Sequence, residues 1–393
     1  MTLEQALARA REASPEVQVA ARLVAEAEAS RVGAGVPFPT NPRLFADYRP
    51  MAVELPNQPT EPRHGYNLGL DGTFEVSGAW AARAEEAERR VALARAELAA
   101  EQTAAVMRAW SAWVELHVAR LRVAQLDEVL ALERRLEAAA RERVAAGVAG
   151  DPELTSVTAE LAVVKSQRLE AARREEQARL TLARVLDLDL EAADVPATTL
   201  ELSTIASESA LLEQALERRP ELATLKARLA MLEAMESRLF REALPKLGYN
   251  VGLDAAPASP VFAFVGLAVE LPVAQRNQGP RAIAAAQRAT ERARLEAQLR
   301  RVQREVAAAR RSYEARREQL GVLSEEALPA ARRTQALVER GWRAGRLDVF
   351  RLISATRDTL RLEVERLDTL HAAWLDFIEL QRAAGLLTPG ATP

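Results

Sequence analysis

The sequence contains no cysteine and very few histidines. Its 393 residues include three histidines, His64, His117 and His371, which lie far apart in the chain. Without cysteine there is no disulfide, no thiolate nucleophile and no cysteine-ligated metal, and three scattered imidazoles do not form a metal-binding cluster. We therefore expect no metal site, no other cofactor and no thiol chemistry.

The chain also lacks an excess of either charge. Lys and Arg total 53 and Asp and Glu total 56, so no basic field is available to attract nucleic acid. No GxxxxGK[ST] loop is present to bind a nucleotide. Carboxylates are frequent on Glu-rich stretches, but no nucleophile or base accompanies them. These observations predict that the protein is not an enzyme.

Long apolar runs are absent too. The nearest candidate, Ala255 to Val269, is interrupted by proline, so no transmembrane helix is expected. The strands of a transmembrane β-barrel remain compatible with the sequence because each needs only about 10 alternating residues. An acidic residue, Glu4, lies close to the start of the chain, and no apolar segment follows it. These features predict no signal peptide in the sequence as written. Either the protein is cytosolic or its leader has been removed.

What the chain does contain is a set of long stretches free of glycine and proline. The longest, Ala79 to Ala146, would form a helix of roughly 100 Å at about 1.5 Å per residue. A globular core cannot hold such a helix, so we expect a coiled coil or a helical tube. Four further stretches are helical in composition: Glu153 to Val195, Glu221 to Leu244, Arg281 to Leu320 and Arg346 to Ala384. Four tryptophans are predicted to pack between helices: Trp110, Trp113, Trp342 and Trp374.

Two segments between the helices, 42–77 and 246–272, alternate with a period of two. In the first, Tyr66, Leu68 and Leu70 alternate with polar or small residues, which predicts a hairpin with one apolar face. Aromatic residues concentrate in these segments, where they suit either a membrane interface or ordinary strands of a soluble sandwich. They are Phe45, Tyr48, Tyr66, Phe74, Tyr249, Phe262 and Phe264.

The chain repeats the order of its parts. LEQAL occurs at Leu3 and at Leu212, and each copy is followed by a helix, a hairpin, a long helix, a glycine-containing turn and a returning helix. Six landmarks in one order indicate a tandem duplication. The predicted first repeat is 1–208, with hairpin 42–77, helices 79–146 and 151–186 and a linker at 187–209. The second is 209–393, with hairpin 246–272 and helices 280–340 and 346–385.

This arrangement resembles the TolC-type outer membrane factor family, from Thr2 to about Leu387. The resembling stretches are TLEQALARA at Thr2, SPEV at Ser14, NPRL at Asn41, TFEVSGAWAARAEEAE at Thr73, LEQALERRPEL at Leu212, LPKLGYNVGL at Leu244, VELPVAQRNQGPRAIAAAQ at Val269 and RAGRLDVFRLISATRDTL at Arg343. The FEVSG and RNQG elements are most similar to the CzcC-like branch, which is associated with metal-cation efflux.

The resemblance implies a mostly α, internally duplicated protomer with a minor antiparallel β part. Three protomers would share a 12-stranded transmembrane β-barrel in the outer membrane, four strands from each, above a periplasmic α-barrel. It implies passive conduction from the periplasm to the exterior, with a periplasmic adaptor protein, an inner-membrane transporter and outer-membrane lipid as partners. Metal cations are the substrate class that the branch suggests, and a duct for type I protein secretion or drug efflux is the alternative.

The resemblance also places two helical turns at the periplasmic mouth of the tube. Their small and basic residues would contact the adaptor, or glycine would serve only the turn geometry: Ala146, Gly147, Ala344, Gly345 and Arg346. Asp151 and Asp348 are candidate N-caps or members of carboxylate rings at the mouth. Arg351 and Ser354 occupy positions where the family carries acidic gate residues, and Arg351 is spaced to pair with Asp348.

Two other classes of protein share some of these features. A soluble helical coiled-coil scaffold would use the hairpins as caps, and the lack of a leader favours it. A periplasmic adaptor also joins a helical hairpin to β-structure, but it should show one hairpin with flanking β-rich halves instead of two complete repeats.

Overall fold

The structure is a computed structural model that describes residues 1–53, 61–189, 195, 202–255 and 260–387. Most of these residues are helical, and the helices are α1 Leu3–Ala13, α2 Pro15–Ala29, α3 Ala79–Ala145, α4 Asp151–Leu186, α5 Glu208–Arg218, α6 Pro220–Glu242, α7 Gln278–Gly321, α8 Leu328–Arg343 and α9 Val349–Ala383. The strands are β1 Arg43–Val53, β2 Glu61–Phe74, β3 Lys246–Ala255 and β4 Phe262–Glu270. The predicted fold class is confirmed, whereas residues 190–194 and 196–201 of the predicted linker at 187–209 lie outside the described residues.

The chain forms two compact units. The helical unit comprises 1–20, 98–222 and 298–393, and the sheet unit comprises 21–97 and 223–297. Each unit draws segments from both halves of the chain, so neither is a contiguous stretch of sequence. The two compact units therefore do not correspond to the two predicted repeats, and the tandem duplication remains a proposal about how the sequence arose.

The sheet unit contains one antiparallel sheet in the order β1, β2, β3, β4. β1 and β2 pair within the first predicted hairpin, and β3 and β4 pair within the second. The two hairpins are joined by β2 and β3, where Phe74 lies opposite Leu247 and Tyr66 opposite Ala255. This register places the even-numbered residues of β1 and β2 on the same face as the odd-numbered residues of β3 and β4.

The helical unit is held together by apolar seams. The seam on α7 is buried at Val302, Val306 and Tyr313, and the Tyr313 hydroxyl donates to the Ser203 carbonyl oxygen at 2.7 Å. The four tryptophans predicted to pack between helices are at most 5% exposed. Among the helices of the described part of the chain, none is both long and apolar enough to cross a membrane.

One predicted helix, 280–340, is not uniformly α-helical. α7 ends at Gly321, a π-helical segment spans Val322–Ala327, and α8 follows. The Leu328 N–H donates to the Leu323 carbonyl, five residues back. Pro329 explains the change, because it has no N–H and its ring would clash with the carbonyl four residues earlier in a regular α-helix.

Candidate functional site

One face of the sheet is apolar and exposed. Large apolar side chains lie opposite one another across all four strands: Leu44 with Leu70, Tyr48 with Tyr66, Leu68 with Leu253, Val251 with Val265, and Tyr249 with Leu267. Val265 is 80% exposed and Leu267 is 74% exposed, although water disfavours such a surface. The sequence-predicted apolar face of the first hairpin therefore extends across both hairpins.

The opposite face carries charged and polar side chains. Arg43 pairs with Asp71 at 3.0 Å, and Arg49 of β1 reaches Asp254 of β3 at 2.9 Å. The second pair passes over β2, which lies between β1 and β3 in the sheet, and it therefore ties the two hairpins together. A sheet with one exposed apolar face and one charged face is suited to separate lipid from water.

Glycines on the sheet lie directly opposite aromatic residues. Gly69 faces Phe45 and Gly252 faces Phe264, and a Cβ at either glycine would come within 3 Å of the facing ring. Only a residue without a side chain leaves room for these rings. The register puts Phe45, Phe262 and Phe264 on the charged face, so these three of the seven aromatic residues do not lie on the apolar face of the sheet.

The FEVSG and RNQG motifs form the passages from strand to helix. In the first, Glu75 is 3% exposed and accepts two hydrogen bonds from Arg83, at 2.9 and 2.7 Å. Gly78, with a φ of 73°, turns the chain into α3. In the second, Asn277 has a φ of 53°, and its amide donates to the Leu239 carbonyl at 3.1 Å. These motifs therefore have a local structural reason to occur at these positions.

The two helical turns have the same backbone geometry. After α3, the Val148 N–H donates to the Arg143 carbonyl at 3.0 Å, and after α8 the Arg346 N–H donates to the Gly341 carbonyl at 2.9 Å. Gly147 directly precedes Val148 and Gly345 directly precedes Arg346, and the φ values of the two glycines are 73° and 72°. This is the Schellman arrangement, in which glycine supplies the left-handed residue. The turn geometry thus explains both glycines within the single chain.

A buried tryptophan connects the two turns. Trp342, at the end of α8, is fully buried, and its Nε1 donates to Glu153 Oε1 of α4 at 3.0 Å. Arg143 of α3 donates to the same oxygen at 3.0 Å, and its guanidinium lies 5.5 Å from the centre of the indole ring. Around this contact lies an apolar cluster, the turn cluster: Leu136, Ala140, Val157, Trp342, Val349, Leu352 and Ile353. Sequence analysis missed Glu153, because nothing distinguishes it from its many acidic neighbours.

The two candidate aspartates are not equivalent. Asp348 is the N-cap of α9, and its carboxylate accepts the Arg351 N–H at 2.9 Å. Asp151 is already the first residue of α4, where Gly150 is the N-cap, so the prediction of an N-cap at Asp151 was wrong. Pro152 accounts for the shift, because proline is favoured in the first turn of a helix. Arg351 Nε lies 3.8 Å from Asp348, as its spacing predicts, and Ser354 is exposed on the same helix.

The capping difference leads to a prediction about local stability. Asp348→Ala should weaken the start of α9 by about 1 kcal/mol because it leaves a backbone N–H without its acceptor. Hydrogen exchange of the first turn of α9 should then become about fivefold faster. Asp151→Ala is the matched control and should have a much smaller effect on α4. Equal effects of the two substitutions would contradict the assignment.

Comparisons with known proteins give a match of fold alone. No family profile matches the chain. No curated protein is detectably similar to it in sequence. Several solved structures superpose on nearly all of it, among them those of VceC, CmeC and MtrE. The Vibrio cholerae outer membrane protein VceC is 18% identical with a TM-score of 0.78, over 98% of this chain and 96% of its own.

The two others are outer-membrane channels. Campylobacter jejuni CmeC is 14% identical with a TM-score of 0.78, over 100% of this chain and 87% of its own. The open state of Neisseria gonorrhoeae MtrE is 16% identical with a TM-score of 0.76, over 98% and 88%. The protein therefore has the fold of these outer-membrane channels.

Proposed function

We propose that this chain is the outer-membrane channel subunit of a tripartite efflux pump of the TolC type. The observation that carries the proposal is the sheet, with its exposed apolar face and its opposite, charged face. In a lipid bilayer the apolar face would contact acyl chains and the charged face would line water. The shared fold with VceC, CmeC and MtrE supports this assignment.

The edges of the sheet support a trimer. Among the described residues, β1 and β4 each have a partner strand on one side only. Backbone groups without partners are costly in lipid, so a closed barrel must form with other copies of the chain. Three copies with four strands each give the 12-stranded barrel that the resemblance implies.

The two helical turns are the proposed periplasmic mouth. Asp151, Asp348, Arg351 and Ser354 are the candidate residues of the channel mouth or gate. The Asp348–Arg351 pair is exposed to solvent, with 59% and 70% of the two side chains accessible. An exposed pair of this kind contributes little energy, so it suits a mouth that opens and closes. Five residues of the turns are the candidate contacts of a periplasmic adaptor: Ala146, Gly147, Ala344, Gly345 and Arg346.

Substrate passes through such a duct unchanged, and the energy comes from an inner-membrane transporter. Metal cations are the proposed substrate class, on the strength of the CzcC-like resemblance alone. Sensitivity of a deletion strain to zinc, cobalt and copper salts tests this choice. A strain sensitive to drugs but not to metals would favour a drug-efflux duct.

The channel itself is tested in a planar lipid bilayer. Protein extracted in detergent should have the mass of a trimer and should produce stepwise conductance when it is added to the bilayer. A monodisperse soluble monomer without conductance would overturn the proposal in favour of a helical scaffold.

A pair of substitutions on β4 tests which face meets lipid. Val265→Lys introduces a charge on the apolar face and should destabilise the inserted protein by about 2–4 kcal/mol, with less trimer in the outer-membrane fraction. Ala268→Lys is the matched control on the charged face and should leave insertion largely unchanged. The opposite ranking of the two variants would reverse the proposed orientation of the sheet.

A further inference from the structure

Two carboxylates are buried side by side in the helical unit, and only one of them has a cation. Glu160 of α4 is 4% exposed and accepts Arg357 Nε of α9 at 2.9 and 3.0 Å. Glu133 of α3 is 1% exposed, and neither of its oxygens has a hydrogen-bond partner among the described residues. A buried carboxylate without a partner is costly when it is ionised.

The surroundings of Glu133 are apolar on both sides along the helices. Three residues earlier on α3, Leu130 packs with Leu161 and Val164 of α4. Three residues later, Leu136 belongs to the turn cluster together with Val157 of α4. Glu133 therefore interrupts an otherwise continuous apolar seam between α3, α4 and α9.

The charges that act on Glu133 come from two neighbouring helices, since α4 contributes the Glu160 carboxylate and α9 contributes the Arg357 guanidinium. Burial raises the pKa of Glu133 to about 7, repulsion from Glu160 adds to the effect, and Arg357 partly offsets it.

A metal ion is a poor occupant of this position. Calcium and magnesium require about six oxygen ligands, and no group of three or more metal-ligating side chains exists in the described ranges. Arg357 already neutralises Glu160. A single proton on Glu133 is enough to remove the remaining charge.

We propose that Glu133 is a proton-operated switch, which holds the seam of α3, α4 and α9 closed when it is protonated and loosens the seam when it ionises. The ionised form adds a second negative charge beside Glu160, and the two carboxylates then compete for Arg357. Opening of the seam lets water reach Glu133 and relieves this repulsion. The inference concerns the helices alone and does not depend on the proposed function.

The direction of the pH effect follows from the two environments. In the opened seam Glu133 has an ordinary pKa near 4.5, and in the closed seam its pKa is about 7. Between these two pH values Glu133 therefore keeps its proton in the closed seam and loses it in the opened seam. The stabilisation of the closed seam by this proton is full below about pH 4.5 and is lost as the pH rises to about 7. Between about pH 5.5 and 8.0 the opening equilibrium should increase roughly 30-fold.

Hydrogen exchange of the intact protein tests the switch. Peptides from α4 and α9 that cover Val157–Val164 and Ile353–Leu360 should open more at high pH, after correction for the intrinsic exchange rate. Glu133→Gln mimics the protonated form and should abolish the increase. Glu128→Gln, at an exposed position of the same helix, is the matched control and should retain it.

A second variant keeps the test decisive if Glu133→Gln folds poorly. Glu160→Gln removes the competing charge and frees Arg357 for Glu133, so the pH midpoint of opening should move below that of the wild type. The same pH dependence in Glu133→Gln as in the wild type, or an unchanged midpoint in Glu160→Gln, would overturn the proposal. Conductance plays no part in this readout, so its failure and that of the channel proposal can be distinguished.

Discussion

Replacement of Trp342 by alanine is expected to lower the free energy of unfolding of the helical unit by about 3–5 kcal/mol. The indole is fully buried in the turn cluster, so its removal leaves a cavity that α8 and α9 cannot easily fill. Glu153 also loses one of its two hydrogen-bond donors and keeps only Arg143, whose guanidinium loses the ring beneath it. Denaturant unfolding of the purified protein measures the change. Trypsin cleavage after the exposed Arg346 should accelerate if the turn opens first.

Two further variants separate packing from hydrogen bonding. Trp342→Phe keeps an aromatic ring but removes the N–H, so it should cost less than the alanine variant. Trp80 of α3 is 39% exposed, and Trp80→Ala should cost much less than Trp342→Ala. A Trp342→Ala protein as stable as the Trp80→Ala protein would show that the indole does not hold the two turns together.

Arg219→Met should destabilise the helical unit by about 3 kcal/mol. The Arg219 side chain is fully buried between α5 and α6, where Nε donates to the Ala383 carbonyl at 2.8 Å and Nη2 to Glu305 of α7 at 2.7 Å. Methionine fills part of the volume but leaves the carbonyl without a donor. Glu305 keeps Arg382 at 3.3 Å, which limits the loss. Thermal and denaturant unfolding measure the effect.

The pH dependence of this variant has a definite sign. Burial alone would raise the pKa of Glu305, but the hydrogen bonds and charges of Arg219 and Arg382 outweigh it and hold the pKa below 4.5. The ion pairs therefore stabilise the fold above about pH 4.5 and lose this contribution as the pH falls further. The difference between wild type and Arg219→Met should shrink in acid. Arg218→Met, at the exposed neighbouring position, should change stability little at any pH.

Much of the architecture could be predicted because it depends on local signals. The stretches rich in Ala, Leu, Glu and Arg are helical, and the period-two segments are strands. The π-helical segment at Val322–Ala327 was missed although Pro329 marks its position, because a proline can end, kink or locally widen a helix. Sequence pattern does not distinguish these outcomes.

The roles of single residues in the turns and strands were predicted less reliably than the helices and strands themselves. Asp348 and Asp151 occupy similar places in the sequence, yet only Asp348 caps its helix. Residue type did not indicate which face of the sheet each aromatic side chain occupies, whereas the strand register puts Phe45 and Phe264 on the charged face. Register depends on pairing between distant segments, which the local sequence does not reveal.

The buried carboxylates were not predictable at all. Glu133 and Glu153 look like the exposed glutamates on either side of them, in helices where acidic residues are common. Only the packing of α3 and α4 against α8 and α9 makes Glu133 a buried acid without a hydrogen-bond partner among the described residues and makes Glu153 the acceptor that joins two turns. Such roles arise from tertiary contacts and leave no mark in the spacing of the residues.

The pairing of β2 with β3 has a consequence for biosynthesis. The ribosome completes β1 and β2 well before β3 exists, because α3, α4, α5 and α6 lie between them in the chain. During that interval the first hairpin presents an apolar face and an unpaired edge, a combination that promotes aggregation. The nascent chain thus has to be protected, or kept unfolded, until its second half has been synthesised. Chaperones that hold segment 43–74 are the natural means of doing so.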